Sequence, residues 1–162
     1  MDLGRGKNMP ELKNARELQI PMDATYRWSV GACMERFFEG LASRSLVGIS
    51  CPSCGRVYVP PRMICESCFV ETSGWRELGG GGSVEGFTVA HVGVDGAAGG
   101  LRDLDEPEII ALIRPDGADS AFVHRVREAR PEDMRAGMKV EAVWAAEPAG
   151  DLSDILYFRP AT

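Results

Sequence analysis

Cys51-Pro52-Ser53-Cys54-Gly55, followed by Cys65-Glu66-Ser67-Cys68, decides how this chain folds. Each Cys-x-x-Cys knuckle curls its backbone so that both sulfurs face one ion. The short connection between them then sets the second pair over the first. A tetrahedral ion such as Zn²⁺ takes four thiolates at about 2.3 Å. The spacing therefore predicts a metal site with Cys51, Cys54, Cys65 and Cys68 as its ligands. Two disulfides are the competing use of four cysteines. Nothing else in the chain looks secreted, and in a reducing compartment this spacing points to metal. Four thiolates leave no open coordination position, so the expected role is structural. Zinc is the expected ion. Iron is the alternative, and would bring electron transfer with it.

Working outward, Leu46 to Ser50 reads as a short strand leading into the first knuckle. Gly55 suits the positive φ that such a knuckle needs. Val57-Tyr58-Val59 alternates as a second strand, which Pro60-Pro61 ends because neither can donate to a sheet ladder. The chain then returns to Cys65, giving a zinc-ribbon layout. Upstream, Met34, Phe37, Phe38 and Leu41 follow an i, i+3, i+4, i+7 spacing. This predicts a helix from Ser29 to Arg44 with an apolar face toward the core. Thr25 and Ser29 are candidate N-caps, and Gly40 costs the helix about 1 kcal/mol relative to alanine. Cys33, the fifth cysteine, reads as a small buried apolar side chain rather than a reactive thiol. Residues 1 to 22 are mixed polar without a period. They read as an arm, either flexible or ordered only on a partner.

Downstream of Trp75-Arg76-Glu77-Leu78 stands Gly79-Gly80-Gly81-Gly82, expected as a turn, bulge or hinge. A phosphate-cradling loop would need a following Lys-Ser/Thr and a helix, and neither is present. The rest reads as short strands at Ser83–Val92, Pro107–Ile113, Ala121–Val126, Met138–Ala145 and Asp154–Phe158, with a helical turn within Arg130–Gly137. Gly93 to Glu106 reads as a long loop. Five strands separated by Gly, Pro and Asp turns argue for a small antiparallel barrel, and the size fits an OB-fold.

Composition narrows the function. The 162 residues are 44% hydrophobic and 26% charged, as in a globular protein. No apolar run approaches the roughly 18 residues of a membrane span. No apolar stretch follows Met1 to Lys7, so no signal peptide is expected and the chain reads as cytoplasmic. From Glu71 onward there are seventeen acidic and nine basic residues, so this half carries the negative charge of a chain whose net charge is −6. A ribbon beside an OB-like barrel suggests single-stranded nucleic acid, with Phe87, Phe122, Trp144, Tyr157 and Phe158 as stacking aromatics. The acidic barrel opposes that alternative, because phosphate contacts need Lys and Arg. His91 and His124 lie in strands without a visible catalytic partner. No paired carboxylates or nucleophile elbow stand out, so no catalytic residues are assigned.

In this order of features the chain resembles a known family. These are the rubredoxin-like zinc-ribbon plus OB-fold accessory proteins found beside thiolases and other acyl-CoA enzymes. The matching residues are Phe37-Phe38 and Leu41, Cys51-Pro52-Ser53-Cys54-Gly55, Pro60-Pro61-Arg62, Cys65-Glu66-Ser67-Cys68, Trp75 to Gly82, Val84 to Thr88, Pro107 to Ile113, Arg130 to Val143, and Tyr157-Phe158-Arg159-Pro160. The likeness spans about residues 28 to 160.

The resemblance implies a mainly β fold with an N-terminal arm at 1–28 and a helix packing on the ribbon at 29–47. A rubredoxin-like zinc ribbon at 48–78 and a five-stranded OB-fold barrel at 79–162 complete it. It implies a non-catalytic accessory subunit of a thiolase-type acyl-CoA complex, with the catalytic residues on the partner chain. A heterotetramer with a thiolase-like catalytic subunit is the expected assembly. Aromatic degradation, such as thiolysis of benzoylsuccinyl-CoA, is the implied setting. CoA thioester is expected at the interface, with Arg56, Arg62 and Arg125 as candidate phosphate contacts. A free-standing acyl-CoA carrier or hydrolase is the third class of reading.

Overall fold

In the computed structural model, which describes residues 29–94 and 101–161, every residue of β1 (Leu46–Ser50) is buried. β1 is the centre of a three-stranded antiparallel sheet, flanked by β2 (Val57–Tyr58) and β3 (Gly74–Leu78). β3 was not expected as a strand. Its five residues pair along the whole of β1, from Leu46↔Leu78 to Ser50↔Gly74. The ribbon is therefore wider than two knuckles and two strands.

The helix α1 (Gly31–Ala42) is shorter than the expected Ser29 to Arg44. Val30 occupies the N-cap position without a side-chain cap, so Ser29 does not cap it; Thr25 lies outside the described residues. At the other end Arg44 takes a left-handed φ of 56°. The predicted stripe is correct in direction: Phe37 and Leu41 are buried, with Met34 and Phe38 packed beside them. Gly40 has a packing reason. A Cβ there would lie 2.5 Å from a methyl of Val47, so the bare backbone lets α1 sit on β1.

Five further strands make the second unit: β4 (Gly81–Val94), β5 (Leu101–Pro115), β6 (Phe122–Val126), β7 (Lys139–Trp144) and β8 (Ile155–Pro160). They run in the order β4-β5-β6-β8-β7, and β7 returns to β4 through Gly81↔Glu141, Gly82↔Val140 and Ser83↔Lys139. The circuit of pairing is complete but thin at one seam. There β6 and β8 meet at the single parallel pair Val126↔Phe158, supported by Arg127 N–H donating to the Phe158 carbonyl at 2.9 Å. This is the partly open five-stranded barrel of an OB-fold. A 3-10 turn at Pro131–Asp133 falls inside the expected Arg130–Gly137 segment. Among the described residues no helix is long and apolar enough to cross a membrane.

Two readings of this half are corrected. Gly81 and Gly82 are strand residues at the start of β4, and only Gly79 and Gly80 connect β3 to β4. The long loop expected at Gly93 to Glu106 is largely a continuation of the β4–β5 hairpin, with Val92↔Asp103, Gly93↔Arg102 and Val94↔Leu101 paired. The irregular sequence there has a physical cause. Leu104-Asp105-Glu106-Pro107 faces His91 alone across the register shift, so the alternation breaks where the strand bulges.

The core does not divide at the ribbon–barrel boundary. Leu46 and Val59 of the ribbon and Phe37 and Leu41 of the helix share one cluster with Val84, Ile109, Ile113, Val140 and Phe158 of the barrel. The β2 edge is tied across as well. Val57 N–H donates to Asp119 Oδ2 at 2.8 Å and Val59 N–H to Ser120 Oγ at 2.7 Å, while Asp119 N–H returns to the Val57 carbonyl at 2.8 Å. At the helix end Arg44 donates to the Ala146 carbonyl at 2.7 Å. Behind it, buried Asp154 accepts from the N–H groups of Ala149, Gly150 and Asp151 at 2.7, 2.8 and 3.1 Å. Burial works to raise its pKa, but the three donors outweigh it and hold the carboxyl below the usual range.

Candidate metal centre

Two hydrogen-bonded loops carry the four cysteines, and the loops are copies of one another. In the first, Gly55 N–H donates to the Cys51 carbonyl at 2.9 Å, and Cys51 N–H to Arg56 at 2.9 Å. In the second, Phe69 N–H donates to the Cys65 carbonyl at 3.0 Å, and Cys65 N–H to Val70 at 3.0 Å. Backbone N–H groups also reach the sulfurs: Ser53 to Cys51 Sγ and Cys68 to Cys65 Sγ, both at 3.4 Å. At Cys65 such donors favour thiolate, the form that binds metal.

The four sulfurs lie within 4.8 Å of one another, and Cys54 Sγ is 3.8 Å from Cys65 Sγ. A tetrahedron with about 2.3 Å metal–sulfur bonds has an edge of about 3.8 Å. The sequence-predicted set is thus brought together at the right scale. Cys51 and Cys65 are buried, Cys68 is partly covered and Cys54 is exposed, so the site opens on one side.

Tyr58 sets the electrostatics of the buried side. Its fully buried hydroxyl sits 3.2 Å from Cys65 Sγ. That bond, with the N–H groups of Cys68 and Ser67, holds the Cys65 thiol down to about 6 against burial. Cys54 behaves oppositely. The Arg56 N–H favours its thiolate, but partial desolvation of the sulfur, although the residue is exposed, and the neighbouring thiols push it up to about 11. Cys65 therefore yields its proton before Cys54 does. The Tyr58 contact could not be read from the sequence, where Val57-Tyr58-Val59 shows only a strand-like alternation; in the structure all three residues are buried. Cys33, which was expected to be buried, is only partly so and lies on α1, away from the four ligands.

Phe69 was also missed. It stands in the second knuckle where Gly55 stands in the first, and it adopts the same left-handed conformation, φ 56° against 75°. Its side chain is 80% exposed, beside exposed Met63, Ile64 and Val70. The signal was in the repeat itself: superposing one Cys-x-x-Cys on the other aligns Phe69 with Gly55.

The candidate CoA arginines do not share one hollow. Arg56 and Arg62 both bond Glu66, at 2.7 and 2.9 Å, and Arg62 also lies over the Tyr58 ring at 4.7 Å. Arg56 borders a hollow of about 460 Å³ with Cys54, Gly55, Ser67 and Asp119. Arg125 borders a different one of about 400 Å³, with Arg127, Glu106 and Glu108 among its walls. Its guanidinium is 3.8 Å from Glu108. His124 packs edge-on between Phe122 and Phe158, and burial pushes its pKa down. That is a packing environment. His91 is exposed on β4.

Residues 38–73 match the family described as the ChsH2 rubredoxin-like zinc ribbon domain, and residues 75–145 match the ChsH2 C-terminal OB-fold domain. A DUF35 domain-containing scaffold protein of Methanocaldococcus jannaschii is 35% identical over 103 residues, which is 61% of this chain and 67% of the relative. A DUF35-family crystal structure from Sulfolobus solfataricus, of unknown function, superposes with a TM-score of 0.58 at 26% identity, over 80% of this chain and 84% of that one. The chain in an Ltp2–ChsH2(DUF35) aldolase superposes with a TM-score of 0.59 at 25% identity, over 84% of this chain and all of that one. With its metal-binding ribbon and its barrel both matched in order, the chain belongs to the ChsH2-like zinc-ribbon and OB-fold family, DUF35.

Proposed function

We propose that this protein is the non-catalytic scaffold subunit of a thiolase-type acyl-CoA complex. One observation carries the reading: the likeness extends over the whole of a ChsH2 chain whose structure is described as an Ltp2–ChsH2 aldolase. The scaffold description of the archaeal relative agrees with it. Zn²⁺ held by Cys51, Cys54, Cys65 and Cys68 fixes the ribbon and takes no part in chemistry. The large partner supplies the nucleophile and the acid–base groups, and the assembly is a heterotetramer in the cytoplasm.

Arg56, Arg62 and Arg125 are the residues assigned to CoA phosphates. Arg56 and Arg62 each give one guanidinium nitrogen to the shared Glu66, so other N–H donors of both remain for a phosphate. Nucleic acid is the poorer ligand. In the acidic barrel Arg114, Arg125, Arg127, Arg130, Lys139 and Arg159 each lie within 4.0 Å of a carboxylate, which leaves few cations to line a groove.

The test is co-expression with the large thiolase-like subunit, followed by thiolysis of an acyl-CoA with and without this chain. Stable co-purification and loss of turnover on its removal are expected. A large subunit that binds nothing here and is fully active alone overturns the proposal.

A further inference from the structure

Beyond the barrel the β4–β5 hairpin continues as a free-standing arm. β6 pairs with β5 only from Ile109 to Ile113, and β7 pairs with β4 only from Gly81 to Ser83. From Ala90 to Val94 and from Leu101 to Glu108 neither strand has a second neighbour among the described residues. At about 3.3 Å per residue the arm reaches some 15 Å from the barrel wall. A two-stranded ribbon with both edges open is marginal in water, and its unpaired edges are templates for other chains.

The outer part of this arm presents an apolar face. Val92 and Val94 are two apart and point the same way. Val94 is directly opposite Leu101, and directly opposed residues share a face. Val92, Val94 and Leu101 are 46, 73 and 78% exposed. Asp103 lies opposite Val92 on that face, and exposed Asp105 and Glu106 follow at the bulge. The surface is thus an apolar strip with an acidic margin.

Charge decides the occupant. A second copy would set the acidic margins of two arms together, in a chain whose net charge is already −6. Like charges brought face to face across an interface oppose association. The partner that fits is a protein groove with an apolar floor and Lys or Arg at its rim. We infer that this arm is the docking element by which the chain holds its catalytic subunit. The inference rests on the scaffold reading above and names the surface that reading needs.

The experiment compares wild type, Val94→Asp/Leu101→Asp and Asp103→Lys/Asp105→Lys for binding to the separately purified thiolase-like subunit, by calorimetry at low and high salt. Each isolated chain is also checked for zinc content, melting temperature and oligomeric state. The apolar variant should bind at least tenfold more weakly, with zinc content and melting temperature as in wild type. The charge variant should be weakened at low salt, with the difference shrinking as salt rises.

If wild type binds and both variants bind equally well, the arm is not the docking element although the scaffold reading stands. If wild type itself fails to bind, the scaffold reading falls and the arm's role with it. A wild-type dimer that the apolar variant turns into a monomer assigns the face to a second copy. A lowered melting temperature in the isolated apolar variant assigns it to this chain itself. Either of these two results overturns the inference.

Discussion

Tyr58 does at the residue scale what the cysteine spacing cannot. Four sulfurs define where an ion sits; the hydroxyl 3.2 Å from Cys65 Sγ defines how well the most buried ligand stays ionised. Its ring is fixed by complete burial between strands and by Arg62 on its outer face. Tyr58→Phe keeps that packing and deletes one donor. Outer-shell partners of metal ligands are worth about 10- to 100-fold in affinity. We expect Tyr58→Phe to fold and bind zinc about tenfold more weakly in competition with a chromophoric chelator. Equal affinity would show that the backbone donors from Cys68 and Ser67 suffice. Phe69 makes the opposite case: it holds a left-handed backbone yet buries little, so packing within this chain does not account for it.

At the scale of elements, the tetraglycine run separates into positions with different physics. A Cβ at Gly82 would stand 2.7 Å from the Arg114 carbonyl oxygen on the paired strand β5, and backbone cannot swing aside. A Cβ at Gly79 meets nothing within 4 Å, and its φ is not left-handed. Gly82→Ala should therefore cost about 1–3 kcal/mol by overpacking. Gly79→Ala should be neutral or gain about 0.5 kcal/mol by stiffening the unfolded chain. Urea melts of the two variants measure the contrast, and a similar loss in both would mean the connection works as a hinge after all. The same run marks the limit of sequence reading. The glycines announced a break in pattern, but the reason for Gly82 is a carbonyl more than thirty positions away. The helix stripe, the knuckles and all five barrel strands were legible because each is a local periodicity or spacing. β3 was not, since Gly74-Trp75-Arg76-Glu77-Leu78 is held by pairing with β1 and is only partly buried. The arm was read as a loop because its bulge destroys the alternation that a strand would show. At the site the clustering of the four cysteines was legible from spacing; Tyr58 and Asp119 act across folds that no local pattern records.

For the whole molecule the question is whether ribbon and barrel are two bodies or one. The ribbon's own cluster is small, with Ile49, Cys51, Tyr58 and Cys65 at its centre, so two of its four central residues are metal ligands. Without metal that cluster cannot hold itself, and the binding free energy of a structural ion is folding free energy. The consequence spreads because Leu46 and Val59 belong to the barrel's core, and Asp119 and Ser120 satisfy the β2 edge. Losing the ribbon would withdraw two buried apolar side chains, each worth about 1.5–3 kcal/mol. For a chain of this length such a loss corresponds to a fall on the order of 10 °C in melting temperature. We therefore expect chelation to lower the melting point of the barrel as well as erase the ribbon, in one transition. Hydrogen exchange should report it residue by residue, with protection lost along β1 and β2 and reduced at Val84, Ile113 and Val140. A barrel that melts at the same temperature with and without chelator would mean that the shared core contributes little across the boundary. The metal would then support only the ribbon. If the two units do melt together, the thiolates that fix the ribbon also set the rigidity of the barrel from which the arm projects.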